Sequence, residues 1–343
     1  MKKILLIEDD ENEIETYKSR VEVYNEEKKE SLIDLVPVST FNDAKNQIAD
    51  DGVDKYIGVI VDLRLDGDNN GSDLIDMLVE NYRIPIAVYS GTPYETDIAK
   101  PIKIPSFLKG KDRIDDVIRY LVNLATSPLF KILGGNGQLD KKINRIFWEN
   151  LYSKKEAWDT LRNEGIEVDE VLVRYMISHL HEMLGDTDHV AQEMYLSPPV
   201  VDRITTGSIL EREDGRYFVV MSPPCDLVFH KEKPKSNTVT LCEIESVDKL
   251  KSKNQFNDGK IFKNRLTEYH HWLPQCAGFE GGCINFRLVS NQEYKSLNKF
   301  KNDIKISDSF MKDILRRFSA YYGRQGQPDF LDEEIKKMEK LMK

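Results

Sequence analysis

The chain has 343 residues, 40% of them hydrophobic, with 49 basic against 59 acidic side chains and a net charge of −10. That is long enough for two or three cored domains, and the negative balance argues against non-specific attraction to nucleic acid or an anionic membrane as its main business. Four cysteines (Cys225, Cys242, Cys276 and Cys283), and only a four-residue apolar run near the start, indicate reduced thiols in a cytoplasmic protein without export signal or membrane span.

In chain order, apolar runs of strand length fall at 4–7, 35–38, 57–61, 84–89 and 102–108, each bounded by charged or turn-forming residues. Segments with helical spacing lie between and after them. Residues 12–24 put Ile14, Tyr17, Val21 and Val23 on one face, 41–50 open after an Asn42 cap, 72–82 repeat Leu74, Ile75, Leu78 and Val79, and 113–125 carry Ile114, Val117, Ile118 and Leu121. This alternation over about 125 residues predicts an α/β doubly wound, five-stranded parallel sheet covered on both faces.

In such a sheet, ligands bind beyond the carboxyl ends of the strands. The polar residues expected there are Glu8, Asp9 and Asp10 after strand one, Asp62 in "VIVDLRLDGDNNG" after strand three, Ser90 after strand four, and Lys109 after strand five, with Lys111 two residues on. Asp10 reads as a turn former or helix cap. The other carboxylates, brought together, would repel and raise one another's pKa. A hard divalent cation such as Mg²⁺ resolves that repulsion. A lysine and a hydroxyl on the same rim supply the positive charge and donors that an incoming phosphoryl group needs.

With those residues in place, the segment 1–125 resembles the receiver domain of bacterial two-component response regulators, a flavodoxin-like fold. "ILLIEDDENE" is similar to the family's acidic pair, "VDLRLDGDNNG" to its phosphoacceptor strand and loop, "VYSG" to its hydroxyl position and "FLKGK" to its lysine. The resemblance implies that Asp62 accepts phosphate from a histidine kinase or phosphotransfer protein. It also implies that Asp9 binds Mg²⁺ directly, Glu8 through water, and Asp62 and the Arg64 carbonyl complete the protein ligands. Ser90 and Lys109 would hold the phosphoryl group, with Lys111 as the alternative lysine because "KGKD" replaces the usual lysine–proline pair. Phe107 is the candidate switching aromatic or, equally, a core phenylalanine. The short segment 91–101, with a proline near each end, predicts a stunted fourth helix and puts the family's usual switch surface in question.

Residues 126–200 read as a helical connector that packs on the receiver or dimerises. "LGGNGQ" at 133–138 is a natural linker. The stretch 139–163 carries Ile143, Ile146, Phe147, Leu151 and Trp158 at helical spacing, and 169–185 carries Val171, Val173, Met176, Ile177, Leu180 and Leu184 ahead of a Gly185 cap. His179 and His181, two apart on a helix, point about 200° from each other and make a poor metal pair. Ala191, Leu196, Ser197, Val201 and Ile204 fall on helix-turn-helix positions. Pro198-Pro199 at the start of the supposed reading helix, and Arg203 as the only base from 185 to 211, argue against DNA binding.

Residues 201–343 read as an α+β domain with a small bent sheet or barrel, its strands expected within 207–213, 216–230, 237–247 and 282–290. A helix from 308 with Phe310, Ile314, Leu315, Phe318 and Tyr322 on one side and a charged tail complete it. Cys225 beside Asp226 makes a poor nucleophile unless a histidine such as His230, His270 or His271 lies near. The cysteines with His270 form the less favoured alternative of a zinc site. Arg316, Arg317 and Arg324, interleaved with aromatics, suit an anion, an acidic partner or the receiver, and a helix docked by its aromatic face accounts for the same residues.

The expected function is that of a signalling protein: phosphorylation at Asp62 switches a non-DNA-binding carboxyl-terminal region, with no catalysis beyond the receiver's own phosphorylation and dephosphorylation. A homodimer is compatible with it, and membrane association is not expected. The alternatives are a receiver-gated, perhaps nucleolytic enzyme, a phosphate-sink adaptor, and a DNA-binding transcriptional regulator.

Overall fold

The computed structural model describes residues 2–28, 32–52, 55–65, 70–94, 103–184, 188–230, 233–252, 258–265, 267–276, 278–324 and 329–342. The chain divides into two compact units, Met1–Asp186 and Thr187–Lys343.

The first unit opens with the expected strand–helix alternation: β1 (Lys2–Ile7), α1 (Glu11–Lys28), β2 (Ile33–Val38), α2 (Phe41–Asp51), β3 (Tyr56–Val61), α3 (Asn70–Asn81), β4 (Ile86–Ser90), β5 (Ser106–Leu108) and α4 (Ile114–Thr126). The five strands are all parallel, in the order β2-β1-β3-β4-β5. Successive residues of a strand point to opposite faces, so β1 feeds two cores. Ile4 and Leu6 pack with Ile14, Tyr17, Val21 and Tyr24 of α1 and with Val117, Ile118 and Leu121 of α4. Leu5 and Ile7 pack with Ala44 and Ile48 of α2 and with Leu74, Ile75 and Leu78 of α3. Every one of these side chains is at most 8% exposed, which is why the strand runs are apolar on both sides.

Local details depart from expectation. Tyr24, not Val23, completes the buried face of α1, since 14, 17, 21 and 24 keep the three–four spacing. Thr40 rather than Asn42 caps α2: its Oγ1 accepts the Asp43 amide at 3.1 Å. Strand β4 starts at Ile86 and β5 at Ser106, because Pro85 and Pro105, which lack amide protons, precede them and lend only their carbonyls, to Val59 and Val88. Of the segment 91–101, expected to hold a stunted helix, residues 95–101 lie outside the described residues, as does the start of the fifth apolar run at Ile102.

The helical segment belongs to the first unit. It comprises α5 (Pro128–Leu133), α6 (Gln138–Ile146), α7 (Lys155–Asn163) and α8 (Asp169–Leu184). The linker at 133–138 is tied down, with the Gly135 amide on the Arg83 carbonyl at 3.0 Å and the Arg83 guanidinium on Asp140 at 2.5 Å. The helical stretch 139–163 is interrupted by a π-helical turn at Phe147–Leu151 and a 3₁₀ turn at Tyr152–Lys154. The extra residue in the π turn rotates the face: Ile146 and Leu151 are buried, while Phe147, Trp148 and Tyr152 stack on one another and stay exposed. Val173, Ile177 and Leu184 of α8 are exposed too, and the Gly185 cap lies outside the described residues.

The second unit is a seven-stranded antiparallel sheet with helices. Its strands are β6 (Tyr195–Leu196), β7 (Ser208–Glu211), β8 (Tyr217–Val220), β11 (Thr238–Glu245), β12 (His270–Leu273), β13 (Gly282–Glu293) and β14 (Lys301–Ile306), in the order β12-β13-β11-β8-β7-β14-β6. A two-residue pair, β9 (Phe229–His230) with β10 (Lys233–Pro234), stands apart from it. Helices α9 (Val247–Ser252) and α10 (Asp258–Phe262) follow β11, and α11 (Asp308–Gly323) and α12 (Asp332–Leu341) close the chain. Met311 and Ile314 of α11 pack on one sheet face with Ile209, Val219, Cys242, Ile284, Phe286 and Ile306, and Phe318 meets Phe286 edge-on at 5.5 Å. Thus α11 does dock by its aromatic face.

No helix-turn-helix forms at 189–204. Ala191–Met194 is one 3₁₀ turn, and Leu196 lies in β6, paired with Lys305 of β14. Pro198 and Pro199 cannot donate the amides a continuing helix requires.

Candidate functional site

The register of β1 and β3 builds the site. Ile7 pairs with Val61, so the next residues, Glu8 and Asp62, leave the same sheet edge side by side. The Asp62 amide donates to the Ile7 carbonyl at 3.0 Å and the Glu8 amide to the Val38 carbonyl at 3.0 Å. Carboxylate oxygens of Glu8, Asp9 and Asp62 all lie within 4.8 Å of one another, and no other group of three acidic, histidine or cysteine side chains does so among the described residues. Glu8 and Asp62 are buried, Asp9 partly exposed. Asp10 serves as a cap, its Oδ1 accepting the Asn12 amide at 2.8 Å and the Glu13 amide at 3.3 Å.

Lys109 comes from the far side of the sheet. Ser90 pairs with Leu108, and the Lys109 amide donates to the Ser90 carbonyl at 2.9 Å. The ammonium then reaches Glu8 Oε2 at 2.7 Å and Asp62 Oδ2 at 2.6 Å, and also pairs closely with Glu13. Gly110 turns the chain away with φ of +82°, a conformation that favours glycine, and Lys111 is left exposed. Lys109, not Lys111, is thus the lysine at the acidic cluster. The Ser90 side chain is buried at the end of β4, its Oγ 3.4 Å from Thr92 Oγ1. The Arg64 amide donates to Asp62 Oδ1 at 3.2 Å, so both oxygens of Asp62 are held.

Gly71 closes the loop after Asp62. A Cβ there would stand 2.2 Å from the Asp62 carbonyl oxygen and 2.6 Å from Leu63 Cα, so α3 can begin against the Asp62 backbone only with glycine at this position. Phe107 is half-buried on β5, its ring 5.7 Å from that of Tyr120.

Strand order 2-1-3-4-5, all parallel, with the acidic cluster on the carboxyl edge, is the flavodoxin-like arrangement. The amino-terminal segment has that fold. It is similar to the non-phosphorylated HemR receiver domain from Leptospira biflexa at 22% identity over 37% of this chain and 96% of that one, with a TM-score of 0.30. It is similar also to a CheY-like response-regulator receiver domain from Methylobacillus flagellatus (19% identity, 35% and 98% of the two chains, TM-score 0.28). The phosphorylated cyanobacterial phytochrome response regulator RcpA aligns at 17% identity over 38% of this chain and 92% of its own, with a TM-score of 0.28. No protein-family model matches the sequence, and no curated protein does.

The electrostatics of the acidic edge are dominated by burial. It pushes the Glu8 carboxyl up to about 7, against the pull of Lys109. Burial works to lower the Lys109 pKa as well, but hydrogen bonds to Asp62, Glu13 and Glu8 override it and raise it. One ammonium thus serves three carboxylates, which leaves excess negative charge among hard oxygen donors. That donor set and charge fit a hard divalent cation such as Mg²⁺.

Glu13 is the residue sequence reasoning missed. Besides pairing with Lys109 it accepts a close hydrogen bond from the Tyr17 hydroxyl, and Tyr17 packs on Tyr89 at 5.5 Å. Its place in the first turn after β1 was the available signal, since that turn starts on the same rim. In the second unit, Cys242 and Cys283 are buried in apolar clusters, Cys225 is exposed and Cys276 half-buried. Glu245, which sequence reasoning also passed over, is buried and accepts from Asn285 at 2.7 Å, with His270 Nε2 at 3.5 Å. None of the described helices is long and apolar enough to cross a membrane.

Proposed function

We propose that the chain is a response regulator whose Asp62 accepts a phosphoryl group from the phosphohistidine of a sensor histidine kinase or phosphotransfer protein. An Asp62 oxygen attacks phosphorus, the P–N bond breaks, and the histidine nitrogen leaves with the electron pair. The Lys109 ammonium, already 2.6 Å from Asp62, takes a phosphoryl oxygen, and the buried Ser90 hydroxyl donates to another. Mg²⁺ bound by Glu8, Asp9, Asp62 and the Arg64 carbonyl would supply the positive charge that offsets the incoming oxygens. The added charge at Asp62 redirects Lys109 from its three carboxylates, and that local change biases the receiver (1–125), its helical connector (126–200) and an output region (201–343) that acts without binding DNA. The setting is cytoplasmic.

The observation that carries this reading is the meeting of Glu8, Asp62 and Lys109, residues 47 to 101 apart in sequence, through short ion pairs at one sheet edge. Asp62→Asn should abolish labelling by acetyl phosphate in Mg²⁺ buffer as read by intact mass. Equal labelling of the variant ends the proposal.

A further inference from the structure

In the second unit, a hollow of about 550 Å³ lies between the turn around Asn264 and the outer face of α11. Arg265, Arg316, Arg317 and Arg324 line it, with Glu268 as the one carboxylate among its lining residues. In a chain of net charge −10 this is a local reversal of sign. Residues 317, 320, 321 and 324 follow helical spacing, which turns Arg317, Tyr321 and Arg324 toward one side.

The guanidiniums differ in how they are held. Arg317 is half-buried and anchored by main chain, its Nη2 donating to the His270 carbonyl at 2.9 Å and both terminal nitrogens reaching the Asn264 carbonyl at 3.4 Å. These bonds orient the group without neutralising it, and its buried Nε has no hydrogen-bond partner among the described residues. Arg316 pairs with Asp313 at 2.6 Å, and Arg324 pairs closely with Glu268 while lying 4.3 Å over the Tyr321 ring. All four side chains of those two pairs are about half exposed or more, and pairs of that kind hold weakly. Both arginines can therefore turn to a stronger anion at little cost. The Tyr321 ring beneath Arg324 is itself fixed by the Arg287 Nε donating to its hydroxyl at 2.9 Å.

From this arrangement we infer that the hollow binds a ligand carrying two or three linked phosphates. Planar guanidinium forks match phosphate oxygens two at a time, and four of them exceed what the two carboxylates, Glu268 and Asp313, can satisfy. The volume is in the range of nucleotide-sized sites. Free polyphosphate and a nucleoside polyphosphate share the recognised chemistry. The site stands independently of phosphorylation at Asp62.

The test is calorimetric titration of the full chain with tripolyphosphate and, separately, with ATP, at low salt with EDTA present to keep metal off the receiver. Wild type should bind both probes saturably at one site, and Asp62→Asn should bind as wild type does. Arg316→Gln with Arg324→Gln, both on exposed side chains, should weaken binding about tenfold or more, and Arg317→Met should weaken it further. ATP binding tighter than tripolyphosphate would assign a base contact to the site, and equal binding would assign recognition to the phosphate chain alone. Absence of saturable heat with both probes overturns the inference, as does a folded double variant with wild-type affinity.

Discussion

Glu8→Gln isolates the electrostatics of the acidic sheet edge. The Glu8 carboxyl is 2% exposed and burial raises its pKa from 4.5 to about 7. A folded-state pKa above the unfolded one means that the folded protein holds the proton more tightly, so this group's contribution to stability is full below pH 4.5 and lost as pH rises through about 7. Between pH 5 and pH 8.5, without metal, the loss from this one group is on the order of 2–3 kcal/mol. The side-chain amide introduced by the substitution does not titrate, so that part of the pH dependence should vanish while Lys109 keeps an oxygen to donate to. Hydrogen exchange of the β1 and β3 amides, corrected for intrinsic rates, reads the opening free energy of this unit directly. The wild-type value should fall by roughly 2–3 kcal/mol more than that of the variant over the same range. Parallel curves for the two proteins would refute the claim that Glu8 is held protonated by its burial.

Magnesium should act on the same edge with the opposite sign. At pH 8, Mg²⁺ at ten times its dissociation constant should add about 1.4 kcal/mol to the opening free energy, and removal by chelator should reverse it. Asp9→Asn, at a partly exposed position, should fold normally and lose that gain, whereas an undiminished gain would show that Asp9 is not a ligand. The thiols give a separate check on the second unit. Cys225 is exposed and should react with Ellman's reagent quickly, while burial pushes the Cys242 and Cys283 thiols up to about 12 and should leave them unlabelled until unfolding. Fast native labelling of Cys242, read by peptide mass, would contradict its place in the sheet core.

Much of the first unit was written in local spacing. Strand-length apolar runs ending on Glu8, Asp62, Ser90 and Lys109 identify both the sheet and its functional edge, because a strand that is buried on both faces must be apolar throughout and can turn polar only where it leaves the sheet. The second unit was less legible, since short strands of mixed polarity identify a sheet but not its order. Only the fold joins β7 to β14 and β11 to β13 across long stretches of chain.

What spacing alone determined was which residues form each element and which face they bury, because the periods of helix and strand are properties of the backbone. What tertiary structure decided was which distant side chains meet. Lys109 rather than Lys111 enters the acidic cluster because Gly110 reverses the chain after one residue, and Glu13 joins because α1 starts on the rim that β1 leaves. The π turn at 147 and the arginine hollow beside α11 belong to the same class. Each depends on register and packing between segments far apart in sequence, and no local pattern encodes those.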